Sequence, residues 1–309
     1  MIRRIGHDEI SHEQWSTFAT HNTPYSLFSE KAWHETWATV FGELDHLEIL
    51  LVHDEIIAPC IRNGDELSFS GGTDLSDYMD IIGPEESKAS AWNEILEYCK
   101  KEKIASLRLH NIPENSATLG FFQTLPKKDI VITREDTTPI LKLPRTWDQY
   151  LASLSRHKRH EIKRKTRNFE HQYPDAHAIV SEHPDHDIAQ LFDLMRQNPD
   201  KKRFLTVQME HFFRKIVDEF REVVILELLV FGSKSCAASL SFITPHTQLL
   251  YNSGYCLDNP GAGLYLHAKS IQRAIETNRG VYNFLQGDER YKYDFGAKDF
   301  MVYAVSLAL

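Results

Sequence analysis

One order of elements is written twice along this chain, and that doubling restricts the fold more than any single motif does. Residues 11–20 and 30–41 carry helical periodicity, the second stretch with Trp33, Trp37 and Phe41 on one face. Strand-like runs follow at 46–52, 56–62 and 66–70, separated by His53-Asp54 and Asn63-Gly64-Asp65, which are good hairpin turns. A helix over 86–102, a strand at 104–109, a helix at 115–124 and a strand at 129–133 close the first half. The second half opens with a strand at 177–181 and helices at 186–197 and 207–220. Strands at 223–231, 235–243 and 248–253, a helix at 264–277, a strand at 281–285 and a last strand near 301–307 complete it. Both halves read α-α-β-β-β-α-β, with no evident sequence identity between them. This order predicts an α/β protein of two domains, 1–145 and 146–309, each a mixed twisted sheet flanked by helices. Hairpins join the first strands of each sheet, and the strands around the long helix run parallel through a right-handed crossover.

A length of 309 residues agrees with two domains. Hydrophobic residues make up 42% and charged residues 26%, a globular balance that excludes disordered and fibrous classes. The net charge of -9 gives no whole-chain attraction to nucleic acid or anionic membrane, so any basic site must be local. The four cysteines (60, 99, 236 and 256) form no C-x-x-C pair and read as reduced thiols, which with the absence of an apolar leader predicts a cytoplasmic protein. The longest apolar run, Val223 to Phe231, is too short to span a bilayer. His177, His183 and His186, with Asp185 and Asp187, lack metal-ligand spacing and read as surface residues, so no metal is expected.

The densest chemistry lies between Leu249 and Phe300. A strand there feeds Asn259-Pro260-Gly261-Ala262-Gly263 and then a helix. Such a turn gathers free backbone N–H groups at a positive dipole end, which suits a phosphate. Asn259, Gly261, Ala262, Gly263 and Leu264 are therefore the candidate anion-binding residues. The equivalent helix of the first half begins with Glu85-Glu86, which complement the dipole internally and repel an anion. Downstream, Asp288, Glu289, Tyr291 and Lys292 crowd into one polar loop. A ligand at the carboxyl ends of the parallel strands would meet residues 251–263 and 286–298 on one rim.

The segment Ser153-Leu-Ser-Arg-His-Lys-Arg-His-Glu-Ile-Lys-Arg-Lys-Thr-Arg167, the Asn-Pro-Gly-Ala-Gly turn and Phe284-Leu-Gln-Gly-Asp-Glu-Arg-Tyr-Lys-Tyr-Asp-Phe-Gly-Ala-Lys298 together resemble the GNAT superfamily of acyltransferases. More narrowly, they are similar to the tandem-GNAT branch that includes Fem-type peptidoglycan aminoacyltransferases and the acetyltransferases of cellulose, capsule and exopolysaccharide loci. Ser76-Asp-Tyr-Met-Asp80 adds a weaker likeness to an element of that branch. The resemblance covers nearly the whole chain. It implies transfer of an acyl group from acetyl-CoA or another acyl-CoA to an amine or hydroxyl of a sugar, polysaccharide precursor or small metabolite. Two positions depart from the pattern. Asp258 stands where Gln or Arg usually faces the pyrophosphate, and Asn283 stands where Asp is frequent.

Acyl transfer by direct attack needs a base for the acceptor's proton, an acid for the leaving group and a donor for the oxyanion. Glu289 or Asp288 is the candidate base, Tyr291 or Tyr251 the candidate acid, and Lys292 the candidate stabiliser of developing negative charge. The competing reading of this loop is a salt-bridged structural corner. Asp77, Tyr78 and Asp80 are either turn and capping residues or the groups that grip a polar acceptor. Glu227, inside an apolar strand, is either a catalytic carboxylate or an outward-facing residue. A basic helix over 147–171 carries seven Lys and Arg between 156 and 167 around a seam of Leu151, Leu154, Ile162 and Phe169. It is either a solvated face or a phosphate contact. Transfer from aminoacyl-tRNA is the alternative, weakened because no coiled-coil arm is present; a GNAT-shaped binding protein without catalysis is the other.

Overall fold

A computed structural model describes residues 1–22 and 26–309. Along the chain run β1 (Ile2–Ile5), α1 (His12–Ala19), α2 (Lys31–Phe41), β2 (Leu47–Val52), β3 (Ile56–Asn63), β4 (Glu66–Phe69), α3 (Glu85–Lys101), β5 (Ser106–Pro113), α4 (Ala117–Gln123) and β6 (Ile130–Thr137). Then come β7 (Ile140–Lys142), α5 (Trp147–Ser153), α6 (Arg156–Gln172), β8 (His177–Val180), α7 (Pro184–Met195), α8 (Pro199–Phe204), α9 (Val207–Glu219), β9 (Val224–Phe231), β10 (Lys234–Ile243) and β11 (Thr247–Tyr255). The chain ends with α10 (Ala262–Glu276), β12 (Val281–Asn283), α11 (Arg290–Asp294) and β13 (Met301–Ala308). Contacts divide it into two units, residues 1–137 with 300–309, and residues 138–299.

The first unit holds a seven-stranded sheet in the order β1-β2-β3-β4-β5-β13-β6. All its pairs are antiparallel except β4–β5, which α3 joins as a crossover. Strand β2 is buried along its whole length, as expected of a strand covered on both faces. One core gathers Trp92, Ile95 and Phe122 against Leu50, Leu67 and Leu109; a second joins Trp15 and Ala19 of α1 to Ile49 and Ile57. Ser11 and Gln14 close a reciprocal capping box at the start of α1.

The second unit holds a six-stranded sheet in the order β7-β12-β11-β10-β9-β8, with β11–β12 the parallel pair across α10. Leu151, Leu154 and Ile162 are buried with Ile271, Tyr282 and Phe295 in its main core, and Phe169 packs on Tyr265 and Leu266. All four positions of the predicted seam are therefore inside. The fold is mixed α/β, two mixed sheets flanked by helices.

The structure differs from the sequence reading in four places. Strand β13 lies between β5 and β6 of the first sheet, so the end of the chain completes the first unit rather than the second. The division falls after residue 137 instead of 145, because β7 pairs antiparallel with β12. The single basic helix expected over 147–171 is two helices, broken where Ser155 caps Lys158 N–H at the start of α6. Strand β1 and the short helices α8 and α11 occupy stretches to which the sequence reading assigned no element. No helix among the described residues is long and apolar enough to cross a membrane.

Candidate functional site

Strands β11 and β12 are paired only at Thr247–Val281, Gln248–Tyr282 and Leu249–Asn283. Beyond Leu249, β11 continues to Tyr255 beside β10 alone, past a bulge that falls at Tyr251. Strand β12 stops at Asn283, whose Oδ1 accepts the Leu285 N–H at 2.9 Å and helps hold Leu285 at φ 55°. The two parallel strands thus part at their carboxyl ends and leave a slot. An amide oxygen serves the Leu285 turn as a carboxylate would, which accounts for Asn283 at that position. The departing end of β11 passes close under α7. A Cβ on Gly254 would lie 2.7 Å from the Met195 backbone nitrogen, so only glycine fits there.

The start of α10 is open. Gly261 occupies the N-cap position at φ 93°, a conformation that favours glycine, and no side chain caps the helix. Gly261 is exposed, Gly263 lies against the Tyr255 ring, and Ala262 is buried. Asn259 shapes the turn by accepting the Ala262 N–H at 3.1 Å. Asp258 is exposed to solvent. By contrast α3 carries Glu85 and Glu86 in its first turn, with Glu85 accepting the Ala117 N–H at 2.8 Å.

The polar loop is ordered from within by Lys292, which is 2% exposed. Its Nζ donates to the carbonyl oxygens of Leu285 (3.1 Å), Gln286 (2.6 Å) and Gly287 (3.0 Å), and pairs with Glu289 Oε2 at 2.9 Å. An ammonium has three protons, so Lys292 has none to spare for a developing oxyanion. Its geometry is that of a loop anchor. Glu289 is 56% exposed and Asp288 is exposed. Tyr291 lies with its ring parallel to His267, centroids 5.0 Å apart and planes 7° apart. Burial, and secondarily Glu289, raise its phenol above the ordinary tyrosine value, so it keeps its proton at neutral pH.

Two residues that the sequence did not single out join this cluster. Lys201 on α8 reaches the free stretch of β11, donating to Ser253 O at 2.5 Å and to Asn252 Oδ1 at 3.1 Å. Burial draws its ammonium down to about 8; Glu289 opposes this and Lys292 adds to it. His267, on α10 one turn beyond Gly263, is buried, and burial lowers its pKa to about 3, helped by the charges of Lys201 and Lys292. The structure therefore brings Glu289, Tyr291 and Lys292 together with Lys201 and His267. Tyr251 instead packs its ring on Phe213 at 5.3 Å and Phe242 at 5.6 Å.

Beside the start of α10, a recess bounded by Leu264 is lined by His157, Lys158 and Lys165 of α6 and by Arg290, with the carboxylates Glu161 and Asp294 among them. Helix α6 is fastened there by Phe169 stacked on Tyr265 at 4.7 Å, and by Glu170, which accepts from the Tyr265 hydroxyl at 3.0 Å and pairs with Lys269 at 3.3 Å. Of the remaining cations, Arg156, Lys163, Arg164 and Arg167 are exposed and Arg159 is part-buried.

In the first unit, Asp80 takes Thr118 Oγ1 (2.5 Å) and Ile81 N–H (2.8 Å) on one oxygen, and Lys88 Nζ (2.7 Å) and Ser116 Oγ (2.5 Å) on the other. A carboxylate so filled has no acceptor site left for a substrate. Tyr78 is 3% exposed and packs on Phe28 and Phe300. Asp77 is partly buried. Glu227 is neither in the slot nor outward: it is fully buried, bonded to Arg273 of α10 and to Ser239 Oγ at 3.1 Å.

Residues 156–293, a little under half of the chain and all within the second unit, match the acetyltransferase (GNAT) domain family. No curated protein sequence matches the chain. Solved structures that resemble it include a conserved protein of unknown function from Bacteroides thetaiotaomicron, at 14% identity and TM-score 0.69 with 100% of each chain covered. FemX follows at 12% identity and TM-score 0.65, covering 99% of this chain and 97% of that one. A tandem GNAT protein from the clavulanic acid biosynthesis pathway gives 10% identity and TM-score 0.50 over 99% and 97%. At such identities the likeness is one of fold, the tandem GNAT fold.

Proposed function

We propose that this protein is a GNAT-type acyltransferase, with an acyl-CoA as donor and an amine or hydroxyl of a sugar, polysaccharide precursor or small metabolite as acceptor. The observation that carries this reading is the parting of β11 from β12 beside an α10 that begins without a side-chain cap. Backbone N–H groups at Gly261, Gly263 and Leu264 are the natural partners of a pyrophosphate there, the Ala262 N–H being taken by the Asn259 carbonyl. Asp258, being exposed, leaves its charge in water rather than against the turn. The donor's thioester supplies the acyl group. The chain's part is to place an acid, a base and a cation at the slot. Tyr291 is the acid, because it holds its proton at neutral pH. Glu289 is the base, being the carboxylate nearest the cluster with one face in solvent. Lys201 takes over the charge-stabilising role for which the sequence offered Lys292, since two of its three protons are committed and one is not.

Thermal stabilisation by acetyl-CoA and by free CoA, lost in Gly263→Glu, is the expected result; no shift with either ligand would sink the donor assignment.

The second reading, aminoacyl transfer from charged tRNA, is favoured by one feature, the cationic recess of α6 and Arg290 at the same helix start. It predicts binding that weakens with salt and with Lys158→Glu and Lys165→Glu. Unchanged tRNA affinity in both variants would remove it.

A further inference from the structure

The first unit has a recess of its own, about 300 Å³ in volume, and every residue that lines it lies between 37 and 110. Such a volume holds one small ring with its substituents. Its bottom is apolar, made of the buried side chains of Ile61, Phe69 and Met79. One wall is the half-buried indole of Trp37 on α2. That indole is held on two sides. The Phe41 ring lies 6.3 Å away at 31°, and a Cβ on Gly72 would come within 2.5 Å of Trp37 Nε1. The facing wall comes from the sheet. Leu67, Leu107 and Leu109 turn into the core, so by strand alternation Ser68, Arg108 and His110 turn the other way. Ser68 stands directly opposite Arg108 in the β4–β5 register. Each basic group has a carboxylate behind it: Arg108 Nε pairs with Glu66 at 3.1 Å, and His110 Nδ1 with Glu135 at 2.5 Å. The terminal nitrogens of Arg108, Nε2 of His110 and the Ser68 hydroxyl bond to no protein group among the described residues. Glu43 completes the rim, one oxygen paired with His46 at 2.8 Å and the other left to accept.

We infer that this recess binds a neutral sugar ring, its apolar C–H face on Trp37 and its hydroxyl groups against Arg108, His110, Ser68 and Glu43. The charges decide for a neutral ligand. The carboxylates of Glu66 and Glu135 offset Arg108 and His110, and Glu43 adds a negative charge, so an ion of either sign gains little. A hydroxyl both donates and accepts. A ring rich in hydroxyls therefore answers donors and acceptors that stand side by side, as they do here. The C–H face of a pyranose is the apolar surface that an aromatic wall can cover. Because the indole is wedged and the two basic groups are held by carboxylates, little ordering is left for the ligand to offset. The inference does not rest on the acyltransferase reading and holds whatever the second unit transfers.

The test titrates the full nitrogen-labelled chain with glucose, galactose, mannose and N-acetylglucosamine, and with glucuronate and glucose 1-phosphate as charged controls. The indole N–H signal of Trp37, identified by its loss in Trp37→Phe, should move and saturate with at least one neutral sugar, at a Kd of about 1 mM. Arg108→Met alters a side chain that is 62% exposed, so its melting midpoint should stay within about 2 °C of wild type. It should weaken the sugar about tenfold, the loss of one charge-assisted hydrogen bond. Should Arg108→Met fail to fold, Ser68→Ala removes one hydroxyl from the same wall and should weaken binding about fivefold. No movement of the signal with any neutral sugar would overturn the inference. Tighter binding of a charged control than of every neutral sugar would overturn it too, marking an ion site instead. So would a folded Arg108→Met or Ser68→Ala that binds the sugar as wild type does.

Discussion

Lys201 Nζ donates to the main-chain carbonyl oxygen of Ser253 at 2.5 Å, at the stretch where β11 has lost β12 as a neighbour. A cation thus takes over one backbone acceptor of the unpaired strand. It does so inside the protein, where an ammonium is poorly solvated, and the result is a proton held less tightly than in water.

That proton should be visible in the pH dependence of stability. Lys201 titrates near 8 in the folded chain and at 10.5 when unfolded. Below pH 8 both states are charged and the burial penalty is complete. Between 8 and 10.5 the unfolded state binds more protons, so stability rises with pH. Denaturant unfolding of Lys201→Met should lack this rise; identical pH slopes for variant and wild type would show that the ammonium is not buried as described.

Lys292→Met should destabilise the second unit by about 3–5 kcal/mol, because three carbonyl oxygens lose their common donor and the loop from 285 to 287 loses its anchor. Glu289→Gln, at a half-exposed partner, should cost less than about 1 kcal/mol. Denaturant titration separates the two. Equal losses would mean that the ion pair, not the carbonyl cage, holds the loop.

Asp80→Asn should remove about 3–5 kcal/mol from the first unit, since it strips a charge partner from the fully buried Lys88. Free CoA should stabilise the folded variant as it does the wild type. A variant of normal stability that has lost acceptor use would instead restore Asp80 to substrate binding.

His110 and Glu135 are paired at 2.5 Å in the first unit, each mostly buried. The hydrogen bond to Glu135 raises His110 above 6.5; its contribution is complete below that pH and is lost as pH rises through the folded value. Glu135 is lowered from 4.5 by His110 and the Asn111 N–H, against the effect of burial. Its contribution is complete above 4.5 and lost as pH falls through the folded value. The pair should matter most between about 4.5 and 6.5. Glu135→Gln should lower stability in that window by less than about 1 kcal/mol and flatten the slopes on either side of it, and a profile unchanged by the substitution would argue that the pair is absent in solution.

The doubled order of elements was legible because each helix and strand carries its own periodicity. The seam Leu151, Leu154, Ile162 and Phe169 was legible for the same reason. Strand β13 was assigned to the wrong sheet, since the alternation in Met301–Ala308 says that it is a strand but not which sheet receives it. Its partners Leu107, Leu109, Ile130 and Ile132 lie some 170–200 residues earlier in the chain. Lys201 was missed because α8 is six residues long, too short for a periodic signal. His267 was hidden in an amphipathic helix, where one polar residue near an apolar face draws no notice. Asp80 and Lys292 drew notice as charged residues in loops, but charge in a loop does not reveal that every lone pair or proton is already engaged.

The position of β13 also bears on how the protein is made. Residues 138–299 form a continuous segment and can close their sheet as soon as they leave the ribosome. The N-terminal sheet, though synthesised first, keeps a gap between β5 and β6 until residues 300–309 emerge. Translation therefore finishes the earlier-born sheet after the later one, and a nascent chain stalled before β13 exposes two strand edges that should attract chaperones.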